Sequence, residues 1–95
     1  MTAQVQEPLN IGVLISGSGS NLQSLIDHIE EGTLSAKISL VVSSRPDAYG
    51  IERAKKAGIP VLVMNREAYA DTSAANQRIA DALKVAGAEY VVMAG

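Results

Sequence analysis

The stretch Ile11-Gly12-Val13-Leu14-Ile15-Ser16-Gly17-Ser18-Gly19-Ser20-Asn21-Leu22-Gln23 decides the reading of this chain. Its first part is apolar: Leu9 to Ser16 places Ile11, Val13, Leu14 and Ile15 in a short run, which suits a strand buried on both faces of a parallel sheet. Its last part begins a helix. Leu22, Leu25, Ile26 and Ile29 fall at i, i+3, i+4 and i+7 and form one stripe. Ser20 followed by Gln23 matches a capping box, in which each side chain satisfies an orphan backbone N–H. Gly32 is the expected stop. Between strand and helix lies the polar, glycine-containing loop Gly17–Asn21.

Working outward, the pattern repeats. Ile38 to Val42 is a second apolar strand, and Ser43 to Asp47 a polar turn. Asp47 is placed to cap a helix running to about Ala57, with Gly58 as terminator. Ile59 to Val63 is a third strand and Asn65 to Ser73 a loop. A helix from about Ala74 to Val85 buries Ala75, Ile79, Ala82, Leu83 and Ala86, and Gly87 ends it. Tyr90 to Met93 is a fourth strand. The order β-α-β-α-β-α-β requires crossover connections, so the fold class is α/β: an open parallel, Rossmann-like sheet with helices on its faces. Met1 to Pro8 reads as a flexible tail. A both-faces-apolar strand at Tyr90–Met93 is usually followed by a covering element, so residues 9–95 read as the N-terminal part of a longer domain.

Composition narrows the function classes. The chain has 95 residues, 47% of them apolar, with a net charge of −2. No basic stripe invites nucleic acid. Cysteine is absent, which removes disulfides, thiolate nucleophiles and cysteine–metal sites. No segment approaches the roughly 20 apolar residues of a membrane helix, and the N-terminus lacks the features of a signal peptide. The expectation is a cytoplasmic protein with a small-molecule partner, and neither a nucleic acid nor a membrane.

The chemistry sits in the loop. In open parallel sheets, ligands bind beyond the carboxyl ends of the strands, which is where Gly17, Ser18, Gly19, Ser20 and Asn21 fall. Two glycines let the backbone approach a ligand closely. A helix N-terminus adds N–H groups and partial positive charge, which attract phosphate. Ser18, Ser20 and Asn21 add hydroxyl and amide donors. The plainer alternative is a tight βα turn with a good cap. Ser20 can serve as either cap or phosphate donor. The dinucleotide fingerprint requires glycine where Leu22 stands, and the acidic residue due after the second strand is replaced by Ser43-Ser44-Arg45. Arg45 leaves open a 2′-phosphate, and hence an NADP reading. A P-loop lysine is missing.

No catalytic pairing is visible. His28, the single histidine, lies off the apolar stripe, on a flank or the solvent face of the first helix. Asp27, Glu30 and Glu31 read as a solvated face, and Lys55 and Lys56 as an exposed helix end. Tyr49 and Tyr69 read as partly packed. With one histidine and no cysteine, a metal site is not expected.

The blocks IGVLISGSGSNLQ (Ile11 to Gln23), VVSSRPDAYGIERA (Val41 to Ala54), AGIP (Ala57 to Pro60) and YVVMAG (Tyr90 to Gly95) together resemble the phosphoribosylglycinamide formyltransferase family, the glycinamide ribonucleotide transformylases of de novo purine synthesis. The resemblance covers nearly the whole chain beyond the tail. It implies formyl transfer from 10-formyltetrahydrofolate, a co-substrate, to the amine of glycinamide ribonucleotide, without a metal. It implies that Gly19, Ser20 and Asn21 hold the ribonucleotide phosphate, with Gly17 and Ser18 shaping the same loop. The family's catalytic asparagine, histidine and aspartate, and most of its folate pocket, fall beyond this segment, which alone is expected to be inactive. Some members carry a basic residue where Thr72 stands here. The alternatives are a relative such as formyltetrahydrofolate hydrolase or methionyl-tRNA formyltransferase, and a non-catalytic phosphate-binding α/β module.

Overall fold

The computed structural model describes residues 8–64 and 71–94. The expected flexible tail up to residue 7, Tyr69 and most of the expected Asn65–Ser73 loop lie outside them. The described elements run β1 (Leu9–Ile15), α1 (Ser20–Glu31), β2 (Ala36–Ser43), α2 (Gly50–Lys56), β3 (Val61–Val63), α3 (Thr72–Val85) and β4 (Tyr90–Met93). All pairings are parallel, and the strand order is β3-β2-β1-β4. The chain therefore steps outward from β1 to β2 to β3, then returns to the far side of β1. The reversal falls between β1 and β4, and this is the position at which open α/β sheets form a ligand crevice.

The two faces of the sheet carry separate apolar clusters. On one face Ile11, Val13 and Ile15 of β1 meet Leu22 and Ile26 of α1, Ile38 and Val41 of β2, and Ala54 of α2. On the other, Leu40 and Val42 meet Met64 and the α3 residues Ala75 and Leu83. Ile38 and Val41 share a face although three residues apart, because the register against β1 slips: Ile11 pairs with Ile38, but Gly12 pairs with Leu40. Ser39 is the extra residue, and its hydroxyl donates to the Ile11 carbonyl at 3.3 Å. One inserted residue inverts the side-chain alternation beyond it. It delivers Val41 and Ser43 to the α1/α2 side, and Leu40 and Val42 to the α3 side.

Several boundaries differ from the sequence reading. The Ser20–Gln23 capping box does not form. Gly19 is the N-cap residue in a left-handed conformation, no side chain caps the helix, and Ser20 is already helical. Asp47 does not cap α2, whose N-cap is Tyr49. Its carboxylate instead takes Arg45 Nε and Nη2, each at 3.2 Å. The third helix starts at Thr72, because Asp71 accepts the Ala74 N–H at 3.1 Å and caps it. Ser43 belongs to β2 rather than to a turn and is fully buried. β4 pairs with β1 alone and is an edge of the described sheet. Tyr90, Val91 and Met93 are 60%, 48% and 77% exposed rather than buried on both faces. In α3, Ala75 and Leu83 are buried, while Ile79, Ala82 and Ala86 pack at the rim of that cluster.

Candidate phosphate-binding site

β1 ends at Ile15, and its carbonyl is held by the Ser44 N–H at 3.0 Å. The chain then leaves the sheet and turns into α1 within four residues. The turn depends on Gly19, whose φ of 75° and ψ of 23° lie in the left-handed region, where a side chain is disfavoured. The same residue lies against Gly50: a Cβ built on Gly19 would lie 2.5 Å from the Gly50 Cα. Gly19 is buried under this contact, whereas Gly17, Ser18, Ser20 and Asn21 are exposed.

The loop backbone is anchored from one side. The Gly50 N–H donates to the Gly17 carbonyl at 3.2 Å. Arg53 Nε donates to the Ser18 carbonyl at 2.8 Å. The Gly19 carbonyl accepts the Gln23 N–H at 2.8 Å and closes the first turn of α1. That turn carries no acidic side chain, so nothing there opposes an incoming anion, and its leading N–H groups have no acceptor within the helix. Among the described residues, no side-chain hydrogen bond engages Ser18, Ser20 or Asn21. All five expected residues thus stand together at one βα junction. The Ser20 hydroxyl, released from capping, is available to a ligand.

Two neighbouring depressions flank the loop. One, of about 160 Å³, opens at the carboxyl ends of the strands and is lined by Leu14, Ile15, Ser16, Val42, Ser44, Ile79 and Met93. It is apolar and sits at the reversal between β1 and β4. The other is a polar cleft along α1 that includes Ser20, Gln23, Asp27, His28 and Arg53. His28 is exposed and closes locally, its Nδ1 lying 3.1 Å from the Thr33 hydroxyl. Tyr49 is 52% exposed, with the Arg53 guanidinium 4.9 Å from its ring centroid. Lys55 and Lys56 lie on the exposed surface, and Thr72 is the exposed first residue of α3. Arg45, the residue that kept an NADP reading open, is engaged by Asp47. No group of three or more His, Cys, Asp or Glu that could hold a metal occurs among the described residues. Nor is any described helix long and apolar enough to cross a membrane.

Gly50 and Arg53 are the site residues that sequence reasoning passed over. Both lie inside the block Val41–Ala54, yet more than thirty residues from the loop they hold. One signal was present. Gly50 is a poor helix former in the first position of a seven-residue helix, and a local penalty of that kind asks for a tertiary reason.

A four-stranded parallel α/β sheet with a glycine-containing loop after its first strand, beside the topological reversal, defines a class: Rossmann-like α/β domains. The comparison with known proteins makes this specific. The formyl transferase family model matches residues 9–95. The phosphoribosylglycinamide formyltransferase of Haemophilus influenzae is 42% identical over 85 residues, covering 90% of this chain and 40% of that protein. The trifunctional purine biosynthetic protein adenosine-3 of Bos taurus is 40% identical over 85 residues, covering 90% of this chain and 8% of that protein. The crystal structure of glycinamide ribonucleotide transformylase 1 from Symbiobacterium toebii superposes with a TM-score of 0.87 at 43% identity, covering 94% of this chain and 42% of that one. The chain belongs to the formyl transferase family, and it spans about two fifths of the length of the Haemophilus influenzae and Symbiobacterium toebii proteins.

Proposed function

We propose that this chain is the ribonucleotide-holding part of a phosphoribosylglycinamide formyltransferase of de novo purine biosynthesis. The observation that carries the reading is the Gly17–Asn21 loop, turned by a left-handed Gly19 into the uncapped N-terminus of α1 beside the sheet's reversal. In this reading the ligand is glycinamide ribonucleotide. Its phosphate lies against the N–H groups of the loop and first turn, with the Ser18 and Ser20 hydroxyls and the Asn21 amide as further donors. Relatives and solved structures named for this reaction support that ligand over those of the folate hydrolase and of a stand-alone phosphate module.

The reaction assigned to the whole enzyme is attack of the ribonucleotide amine on the formyl carbon of 10-formyltetrahydrofolate. The new C–N bond forms, the bond to folate N10 breaks, and the proton lost by the amine is matched by one delivered to N10 through general acid–base catalysis, which releases tetrahydrofolate. No residue of this segment is assigned to that proton transfer, and the donor's pocket is assigned mostly to the remainder of the family fold. The segment's part is to bind and orient. The protein is assigned to the cytoplasm, with a small molecule rather than nucleic acid or membrane as its partner.

The test is calorimetric titration of glycinamide ribonucleotide into the chain and into its Ser20→Ala, Asn21→Ala and double variants. Binding to the unsubstituted chain is expected to weaken by roughly 1–3 kcal/mol in the variants, the size of a lost hydrogen bond to a charged group. The same affinity in all four proteins would remove the loop from the site.

A further inference from the structure

Beyond holding the loop in place, α2 determines which way it faces. The Gly17 and Ser18 carbonyls are consecutive, and both accept from α2: the first from the Gly50 N–H, the second from Arg53 Nε. A peptide unit is planar and trans, so its N–H points opposite to its C=O. Fixing these two carbonyls towards α2 therefore fixes the N–H groups of Ser18 and Gly19 away from α2. The backbone donors are thus oriented before any ligand arrives, and pre-orientation removes an ordering cost from binding.

Arg53 is itself held in one pose. Its Nη1 donates to Gln23 Oε1 at 3.3 Å, the Gln23 Nε2 donates to Asp27 at 2.9 Å, and the guanidinium lies over the Tyr49 ring. The fork thus spans an acceptor in the loop and an acceptor on α1. A planar guanidinium can reach both at once, whereas a lysine ammonium on a flexible stem does not reproduce that geometry.

We infer that Arg53 is a positioning residue for the phosphate loop: through the Ser18 carbonyl and Gln23 it aims the Ser18 and Gly19 N–H groups at the ligand. The inference rests on the proposed phosphate reading for its ligand, but not for its geometry. The experiment separates the two. Backbone amide NMR spectra are recorded for the unliganded chain and for Arg53→Met and Arg53→Lys, and each protein is then titrated with glycinamide ribonucleotide.

The expected result without ligand is displacement or broadening of the Ser18 and Gly19 amide signals in both variants, with Ala75 and Leu83 on the opposite face unmoved. With ligand, Arg53→Met is expected to lose about tenfold or more in affinity, as for a displaced charge-assisted contact. Arg53→Lys is expected to recover less than half of that loss on a logarithmic scale. Loop signals unmoved in a folded variant would overturn the inference, as would full affinity in Arg53→Lys. Should Arg53→Met not fold, the lysine variant carries both measurements. Displaced loop signals in a protein whose unsubstituted form takes up no ribonucleotide would leave the positioning role standing and remove the phosphate reading instead.

Discussion

Gly19 and Gly50 touch backbone to backbone: a Cβ on the first would lie 2.5 Å from the Cα of the second, and one on the second 3.1 Å from the Cα of the first. The contact sets the loop directly on the start of α2, which brings the Gly50 N–H and the Arg53 side chain within reach of the loop carbonyls. Gly19→Ala combines a left-handed backbone with a collision against main-chain atoms that cannot rotate aside. It is expected to destabilise the chain by about 1–3 kcal/mol, the usual range for strain or overpacking. Denaturant unfolding checks this. A midpoint equal to that of the unsubstituted chain would mean that the two backbones are not in contact.

Ser43 is completely buried at the end of β2, where its hydroxyl donates to the Arg45 carbonyl at 2.7 Å and accepts the Arg45 N–H at 3.2 Å. One small side chain thereby satisfies both polar groups of a residue that has just left the sheet. Ser43→Ala removes the hydroxyl, takes the acceptor from the Arg45 N–H and leaves the Arg45 carbonyl with only the longer bond from the Ala48 N–H at 3.5 Å, and is expected to cost about 1–3 kcal/mol. Ser44→Ala next to it, half-buried and at the mouth of the apolar depression, should cost less. Comparable losses for the two substitutions would show that the Ser43 bonds do not survive in solution.

Asp47 and Asp71 make a matched pair: each stands just ahead of a helix, Asp47 is the cap expected from the sequence, and Asp71 is the one that caps. Asp71 accepts from the Ala74 N–H, whereas Asp47 grips Arg45 on the exposed surface. Asp71→Ala is expected to lower stability by about 1 kcal/mol, the typical value of an N-cap. Asp47→Ala should cost well under 1 kcal/mol, as exposed ion pairs do. Circular dichroism during urea unfolding distinguishes them, and the reverse order would mean that Asp47 is the effective cap.

The order and type of the elements were legible because the periodicities are clean. The Leu22-Leu25-Ile26-Ile29 stripe and the apolar runs at Ile11–Ile15 and Ile38–Val42 have one natural reading each. The position of the candidate loop was legible for the same reason, lying where a strand pattern changes to a helix pattern. What stayed hidden depends on partners distant in the chain or on competition between local signals. The bulge at Ser39 is invisible until Ile11 and Gly12 fix the register beside it. The capping box failed because the loop needs a left-handed residue at position 19, which moves the helix start one residue earlier than a Ser20 cap allows. Asp47 failed as a cap because a guanidinium two residues away competed for its carboxylate. Arg53 was hidden because a lone arginine on a short helix looks like any solvated charge. Its place under Ser18 follows from the α1·α2 packing and from no spacing in the chain.

The failed capping box sharpens the test of Ser20. Had its hydroxyl capped α1, Ser20→Ala would damage stability and ligand affinity together, and the two effects could not be separated. Here Gly19 occupies the N-cap position and no side chain caps the helix. Ser20 is exposed in the first turn, where alanine is tolerated and is intrinsically the better helix former. Ser20→Ala should therefore leave the unfolding free energy within about 0.5 kcal/mol, as for an ordinary surface substitution, while ribonucleotide affinity falls. Gln23→Ala is the complementary case. It removes the acceptor of Arg53 Nη1 and the donor to Asp27, so it should loosen the loop without removing any proposed ligand contact. Urea unfolding and ribonucleotide titration on the same two variants measure both effects. A loss of about 1 kcal/mol or more in the stability of Ser20→Ala would return the hydroxyl to a capping role. The affinity change would then have to be read as a consequence of a frayed helix.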